Sequence, residues 1–255
     1  MTTARTGATG RGAAARSATA RSAAGRTDTG RSDAGRGAAG RSAAGRVYGG
    51  ADARTRHAER LARLEDAGLE LFATVGYQQT TVADVCERAK VSRRHFYEQF
   101  ADREALLRHL YTGVHDRGRA AVADALAAGA PAAGTGDGAV AALVASGLTA
   151  YIGAVLADPR GLRVAFVEVV GVSAELEAFR LANRDLWAQT IRSAAEAAGA
   201  PPVAPWVHAA FIPSVNEFLM AWWLHAEERS DPAELVRVLT SVLVNLLVTA
   251  PSDRK

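Results

Sequence analysis

The chain has 255 residues, a net charge of +3, 49% hydrophobic residues and a single cysteine. That is enough apolar content for a sizeable core. One thiol excludes an intramolecular disulfide and fits a reducing cytoplasm. No Cys/His cluster at metal-ligand spacing, nucleophile–base pair or phosphate-binding loop is recognisable, so no enzyme activity, cofactor or metal is expected.

Charge is distributed unevenly. Residues 1–56 carry eleven arginines against three aspartates, net +8, which leaves −5 for residues 57–255. From Arg11 to Arg46 an arginine recurs every five residues, a period that matches neither helix nor strand and offers nothing to bury, so a disordered basic tail is expected over residues 1–53. Three roles compete for it: an arm adding salt-sensitive phosphate attraction, a transit-like targeting peptide, or a stretch not normally translated, with a start near Val47. With no further methionine before Met220, a misassigned start or a dispensable arm is favoured over targeting. The tail lacks the apolar segment of a secretory signal.

Leu61, Leu64, Gly68, Leu71, Phe72 and Val75 form one apolar helical stripe that ends at Gly76, an expected left-handed cap. Thr81 begins the next helix, with Asp84 three residues on in a capping-box arrangement. Val82, Val85 and Ala89 fall on one face, and Cys86 on this helix reads as a small half-buried residue rather than a redox sensor. Lys90 and Val91 make a turn. Ser92 caps a second short helix whose Phe96, with Phe100, faces inward. Arg93, Arg94, His95 and Tyr97 are left on the outer part of that helix. Two helices at this spacing, with arginines at the start of the second, fit helix-turn-helix docking in the major groove. The competing reading is a surface hairpin with solvated arginines. Asp102 is expected to cap a long helix through Glu104, Leu106, Leu107 and Leu110, with Arg103 at its start.

The run from Ala67 to Leu107 resembles the N-terminal domain of the tetracycline-repressor (TetR) family of bacterial transcription regulators. The resemblance rests on Phe72, Gly76-Tyr77, Thr80-Thr81-Val82, Ala89, Val91-Ser92, Phe96-Tyr97, Phe100 and Asp102-Arg103. It implies an all-α fold: a three-helix helix-turn-helix domain over residues 54–101 and a helical effector-binding and dimerisation domain over residues 102–250. It also implies DNA contacts from Thr81, Ser92, Arg93, Arg94, His95, Tyr97 and Arg103, with Arg93, Arg94 and His95 on bases and Thr81, Tyr97 and Arg103 on phosphates. Three positions depart from the commonest pattern: Lys90 where glycine is frequent in the turn, Arg94 where a small residue or proline is, and Gln99 where histidine is.

Downstream, helices are expected over about 102–128, 139–157 (ending before Asp158-Pro159), 162–170, 174–198, 205–228 (with Pro213 kinking it or delaying its start) and from Asp231-Pro232 onward, with a Gly/Pro/Ala-rich loop at 129–138. No run is expected to span a membrane. His208 and His225 read as surface or hydrogen-bonded residues. In the last helix Leu235, Leu239, Val242 and Leu246 form one stripe and Val236, Leu243 and Leu247 a second, an apolar surface broad enough to need cover on more than one side. The helix before it, with Phe218, Leu219, Met220, Trp222 and Trp223, has the same excess. In the resembled family these last two helices pair with their copies in a homodimer. The resemblance also implies a small-molecule effector among the middle helices, for which Tyr151, Phe166, Trp187, Asn216 and Met220 are the candidate wall.

The reading is a cytoplasmic, homodimeric DNA-binding regulator, a repressor released from a palindromic operator by an effector. The alternative is a helical ligand-binding or protein-interaction module that no longer reads DNA.

Overall fold

Two turns shape the N-terminal part of the molecule, and both need a left-handed backbone. The computed structural model describes residues 44–129, 137–225 and 231–249. The elements are α1 (Ala44–Thr74), α2 (Val82–Ala89), α3 (Arg93–Tyr97), α4 (Arg103–Gly129), α5 (Asp137–Leu156), α6 (Pro159–Arg163), a π-helical turn (Val164–Glu168), α7 (Ala174–Ala197), α8 (Pro205–Leu224) and α9 (Pro232–Thr249). Among the described residues all regular structure is helical. The arginine repeat before Ala44, most of the Gly-rich loop and the expected end of α8 at Glu228 lie outside the described residues. α1 starts at Ala44, inside the segment assigned to the tail.

The first turn closes α1. Gly76 sits at φ 98° and its N–H reaches back to the Leu71 carbonyl at 3.1 Å. Because the chain leaves the helix here, Val75 points out and is 53% exposed, not buried with the stripe of Leu64, Gly68 and Phe72. Thr81 and Asp84 form the capping box that starts α2: the Thr81 N–H donates to Asp84 Oδ2 at 2.7 Å, and the Asp84 N–H to Thr81 Oγ1 at 3.3 Å. The second turn falls at Lys90, the one non-glycine residue at positive φ (53°) among the described residues. Its N–H returns to Glu87, and the Val91 N–H to Cys86 at 3.0 Å, so the carbonyls at the end of α2 are satisfied.

Ser92 caps α3 by accepting the His95 N–H at 3.3 Å. Asp102 caps α4 by accepting the Ala105 N–H at 2.7 Å. Phe72, Val85, Phe96, Leu106 and Leu107 are fully buried and join α1–α3 to the first turns of α4. The same apolar cluster continues into the C-terminal helices.

There α4 lies along α5, α5 along α9, and α7 along α8. The expectation that no run could cross a membrane needs correction. Gly138–Leu156 has 19 residues at a mean hydropathy of 2.0, enough by length and composition. In the fold this helix is packed between α4 and α9, and Val140, Val144, Leu148, Ile152 and Val155 are buried. α6 begins before the expected Leu162 because Asp158 caps it and Pro159 occupies its first position. The β-branched run that follows remains helical, wound as the π-turn. On α9 the buried line is Leu235, Leu239, Leu243 and Leu247, one ridge of four-residue steps drawn from both expected stripes. Val236, Val242, Val244 and Leu246 flank it half-buried.

The two turns have opposite consequences for substitution. Gly76→Ala forces a side chain onto φ 98° and is expected to cost about 1–2 kcal/mol. Lys90→Gly removes left-handed strain and is expected to leave stability equal or higher, by up to about 1 kcal/mol. Denaturant midpoints of the two variants, measured side by side, test the pair.

Candidate nucleic-acid interface and cavities

α3 has five residues, RRHFY, and only Phe96 is buried. Arg93 and Arg94 are exposed, His95 half-buried, and Tyr97 56% exposed. Arg94 Nε lies 3.2 Å from Glu98 Oε1, an exposed i,i+4 pair of little net worth that opens readily. Arg93 makes no hydrogen bond or ion pair among the described residues. The Ser92 hydroxyl lies 2.9 Å from His95 Nδ1, so one residue both caps the helix and orients the imidazole. Arg93, Arg94, His95 and Tyr97 thus stand together on the outer side of α3, with Thr81 at the exposed start of α2.

Arg103 is placed differently from the outward, phosphate-facing position the resemblance implies. Its guanidinium stacks on the Tyr77 ring, 4.1 Å from the centroid, and donates to the carbonyls of Gln78 (3.4 Å) and Thr80. Those carbonyls lie in the loop between α1 and α2, outside any helix, and need donors. Arg103 therefore ties that loop to the start of α4. Cys86 is buried, and burial pushes its thiol pKa up, so it is a packing residue with an unreactive thiol.

The five residues proposed as one effector wall divide between two cavities. Tyr151 and Trp187 line an almost wholly apolar slot between α4, α5, α7, α8 and α9, with about 70 Å³ open. Phe166, Asn216 and Met220 line a polar cavity of about 250 Å³ between α4, the π-turn, α7 and α8. The Tyr151 hydroxyl donates to Asn216 Oδ1 at 3.2 Å, which links residues of the two, and Ile212 belongs to both. Gly118 lets Tyr151 approach α4: a Cβ there would meet the ring at 3.0 Å.

Several polar residues of this region carried no signal in the sequence. Asn183 is buried and donates through Nδ2 to the Tyr111 hydroxyl at 3.0 Å, while its Oδ1 accepts from Arg119 at 2.6 Å. His115, 2% exposed, accepts from Trp187 Nε1 at 3.4 Å. Burial, with Arg119 adding to it, pushes the His115 pKa down to about 3, so the ring is neutral. Their polar atoms sit at helical positions that also suit core or surface, which is why periodicity alone passed them over. His208, expected at the surface or hydrogen-bonded, is instead buried with no partner on Nδ1, whereas His225 is exposed and bonded to the Ala221 carbonyl at 2.7 Å.

The polar cavity and the helix-turn-helix unit meet at the π-turn. Ala165 and Phe166 line the cavity, and Glu168 Oε2 accepts the Tyr77 N–H at 2.7 Å. Arg163 holds the other Glu168 oxygen at 3.1 Å. Arg160 adds a second link through Asp66 at 2.9 Å.

Residues 64–110 match the family model described as bacterial regulatory proteins, tetR family. This segment is a tetR-family DNA-binding domain. No curated protein matches the chain. Among solved structures, a tetR-family regulatory protein from Rhodococcus RHA1 is 21% identical, with 76% of this chain and 98% of that one covered at a TM-score of 0.56. The fatty acid degradation regulator FadR from Bacillus halodurans is 17% identical, over 72% of this chain and 94% of that one, at 0.56. FadR from Bacillus subtilis, solved with stearoyl-CoA, is 16% identical over 72% and 97%, at 0.55. At these identities the likeness is one of fold, and it extends the tetR architecture through the C-terminal helices. The three departures from the tetR pattern now have positions: Lys90 holds the left-handed turn, Arg94 is on the open face of α3, and the Gln99 amide lies 3.2 Å from His57 Nδ1 on α1.

Neutral His115 gives the fold a pH dependence. Its folded pKa is depressed from 6.5 to about 3, so below pH 6.5 the unfolded chain binds the extra proton and stability falls. Between pH 7.5 and pH 5, above the carboxylate range, the loss from this group is about 2 kcal/mol. His115→Gln is expected to be less pH-sensitive than the native chain over that interval, as read from urea midpoints at the two pH values.

Proposed function

We propose that the protein is a homodimeric transcription regulator that places α3 of each protomer in the major groove of a two-fold-symmetric operator and is released by a small-molecule effector. One observation carries the reading: Arg93, Arg94, His95 and Tyr97 stand together, outward, on a helix anchored by Phe96 inside a tetR-family domain. Arg93 and Arg94 are the guanine readers, since a guanidinium matches O6 and N7 bidentately. His95 contacts a neighbouring base edge. Thr81 and Tyr97 meet phosphates on either side and set the register, with Ser92 at the head of the helix. Arg103 supports the loop that carries Thr81.

Dimerisation through α8 and α9 is supported by their open apolar residues. Phe218 is 38%, Leu224 73% and Val238 42% exposed, beside the half-buried flank of α9. A two-fold dimer would cover these and supply the symmetry that paired reading heads need. The effector reading is supported by the two adjoining cavities and by the π-turn, which touches the polar cavity through Phe166 and the DNA-binding domain through Glu168. A ligand that favours one position of this turn over the other biases the Tyr77 loop by its differential affinity. Repression in a cytoplasmic setting is the simplest use of such a device.

Fluorescence anisotropy of the full chain on DNA from upstream of its own gene, across a salt series, tests the proposal. Arg93→Ala/Arg94→Ala is expected to lose at least about tenfold in specific affinity, at about 1–3 kcal/mol per guanine contact, while a salt-dependent nonspecific component persists. Equal affinity of native and double-variant protein for this DNA and a scrambled sequence would reject α3 as the reading element at this DNA.

A further inference from the structure

The polar cavity presents hydrogen-bond donors and little to accept from them. The Trp187 indole can only donate, so its contact with His115 makes Nδ1 the acceptor and leaves the ring proton on Nε2. That Nε2–H has no partner among the described residues and His115 lines the cavity, although the residue is 2% exposed overall. The Tyr111 hydroxyl accepts from Asn183 and so keeps its own proton to give. Asn216 spends its Oδ1 on Tyr151, which leaves its amide N–H groups. Arg184 lines the same cavity and makes no hydrogen bond or ion pair among the described residues; its charge falls on Tyr111 and Glu177.

The acidic groups nearby do not balance these donors. Glu177 Oε1 accepts from Arg180 at 2.6 Å and from the Gly171 N–H at 3.1 Å. Glu217 also lines the cavity but is exposed, where water screens it. Arg180 is ion-paired with Glu177, whereas Arg184 is a lining cation with no ion pair among the described residues. One uncompensated guanidinium with neutral donors around it suits a monoanion with two acceptor oxygens. A dianionic phosphate would be left short of a second cation. The remaining walls, Phe166, Ile212 and Met220, are apolar, and Ile212 also faces the dry slot. The open volume, about 250 Å³ with a further 70 Å³ beyond Ile212, is at the small end for an organic ligand.

We propose that the effector is a small organic acid, its carboxylate held by Arg184, the His115 Nε2–H and the Asn216 amide, and its apolar body lying along Phe166 and Ile212 toward the slot. The inference rests on the effector reading of this cavity and names its ligand class.

Isothermal titration of the full chain with octanoate and with 4-phenylbutyrate, each beside its primary amide, tests it without DNA. At least one acid is expected to bind one per protomer, at least about tenfold tighter than its amide, a difference of about 1.4 kcal/mol. Arg184→Gln should bring acid and amide together, and Arg184→Lys, which keeps the charge, should retain part of the preference. Acid and amide binding alike, an acid preference that survives Arg184→Gln, or no heat from either acid at about 1 mM, an affinity near −4 kcal/mol, would overturn the assignment. Anisotropy on the same preparations separates the two levels. An acid preference without DNA reading leaves the site standing and removes the regulator; DNA reading without an acid preference removes this inference alone.

Discussion

The burial of Phe96 is the contact on which the proposed DNA-reading face depends. A five-residue helix has no stability of its own, because nucleating a turn costs more than its few hydrogen bonds return. α3 persists because Phe96 is fully buried, with Phe100 at 5.6 Å and the Tyr97 ring edge-on at 5.5 Å. The caps then set its direction: Ser92 at its start, the left-handed Lys90 before it, and Asp102 at the head of α4 just after. With one side chain anchoring the helix, the others are free to be polar. Arg93 and Arg94 can stand outward because neither is packed into the core.

The same economy appears where the DNA-binding domain meets the rest of the chain. Gly68 lets α1 come close onto α4, where a Cβ would meet the ends of the Leu106 and Leu110 side chains at 3.0 Å. Direction is added by a few polar ties: Arg103 to the loop carbonyls, Glu168 to the Tyr77 N–H, and Arg160 to Asp66. Glu168 belongs to a π-helical turn, a winding that occurs often where helices serve a function. Its neighbour Phe166 lines the cavity, so one short segment touches both the cavity and the loop before α2.

Much of this was legible in the chain because the N-terminal region uses local signals. Thr81-Asp84, Ser92, Asp102 and Asp231-Pro232 are caps whose chemistry is readable without tertiary context, and each starts a helix in the structure. Asp158-Pro159, expected only to follow the end of a helix, in fact opens α6. Helical spacing likewise identified Phe72, Val85 and Phe96 as core. What was not legible depends on which helices become neighbours. The pairing of Asn183 with Tyr111 and of Trp187 with His115 spans 72 residues in each case, and no spacing rule connects them. The Tyr151–Asn216 bond, which links residues of the two cavities across α5 and α8, is equally remote in sequence. Arg103 was read from the resemblance as an outward cation, and the unsatisfied carbonyls that turn it inward exist only in the folded loop. The apolar run of α5 shows the converse, since composition alone would let it cross a membrane and only its neighbours α4 and α9 make it core.

Selection of bound sequences from random duplex DNA by the full chain addresses the central claim most directly, since it presumes no operator. The account predicts a two-fold-symmetric motif, with half-sites about one helical turn or a multiple apart, whose preferred bases change in the Arg93→Ala/Arg94→Ala variant. Recovery of no motif, or of the same motif from native and double-variant protein, would contradict it.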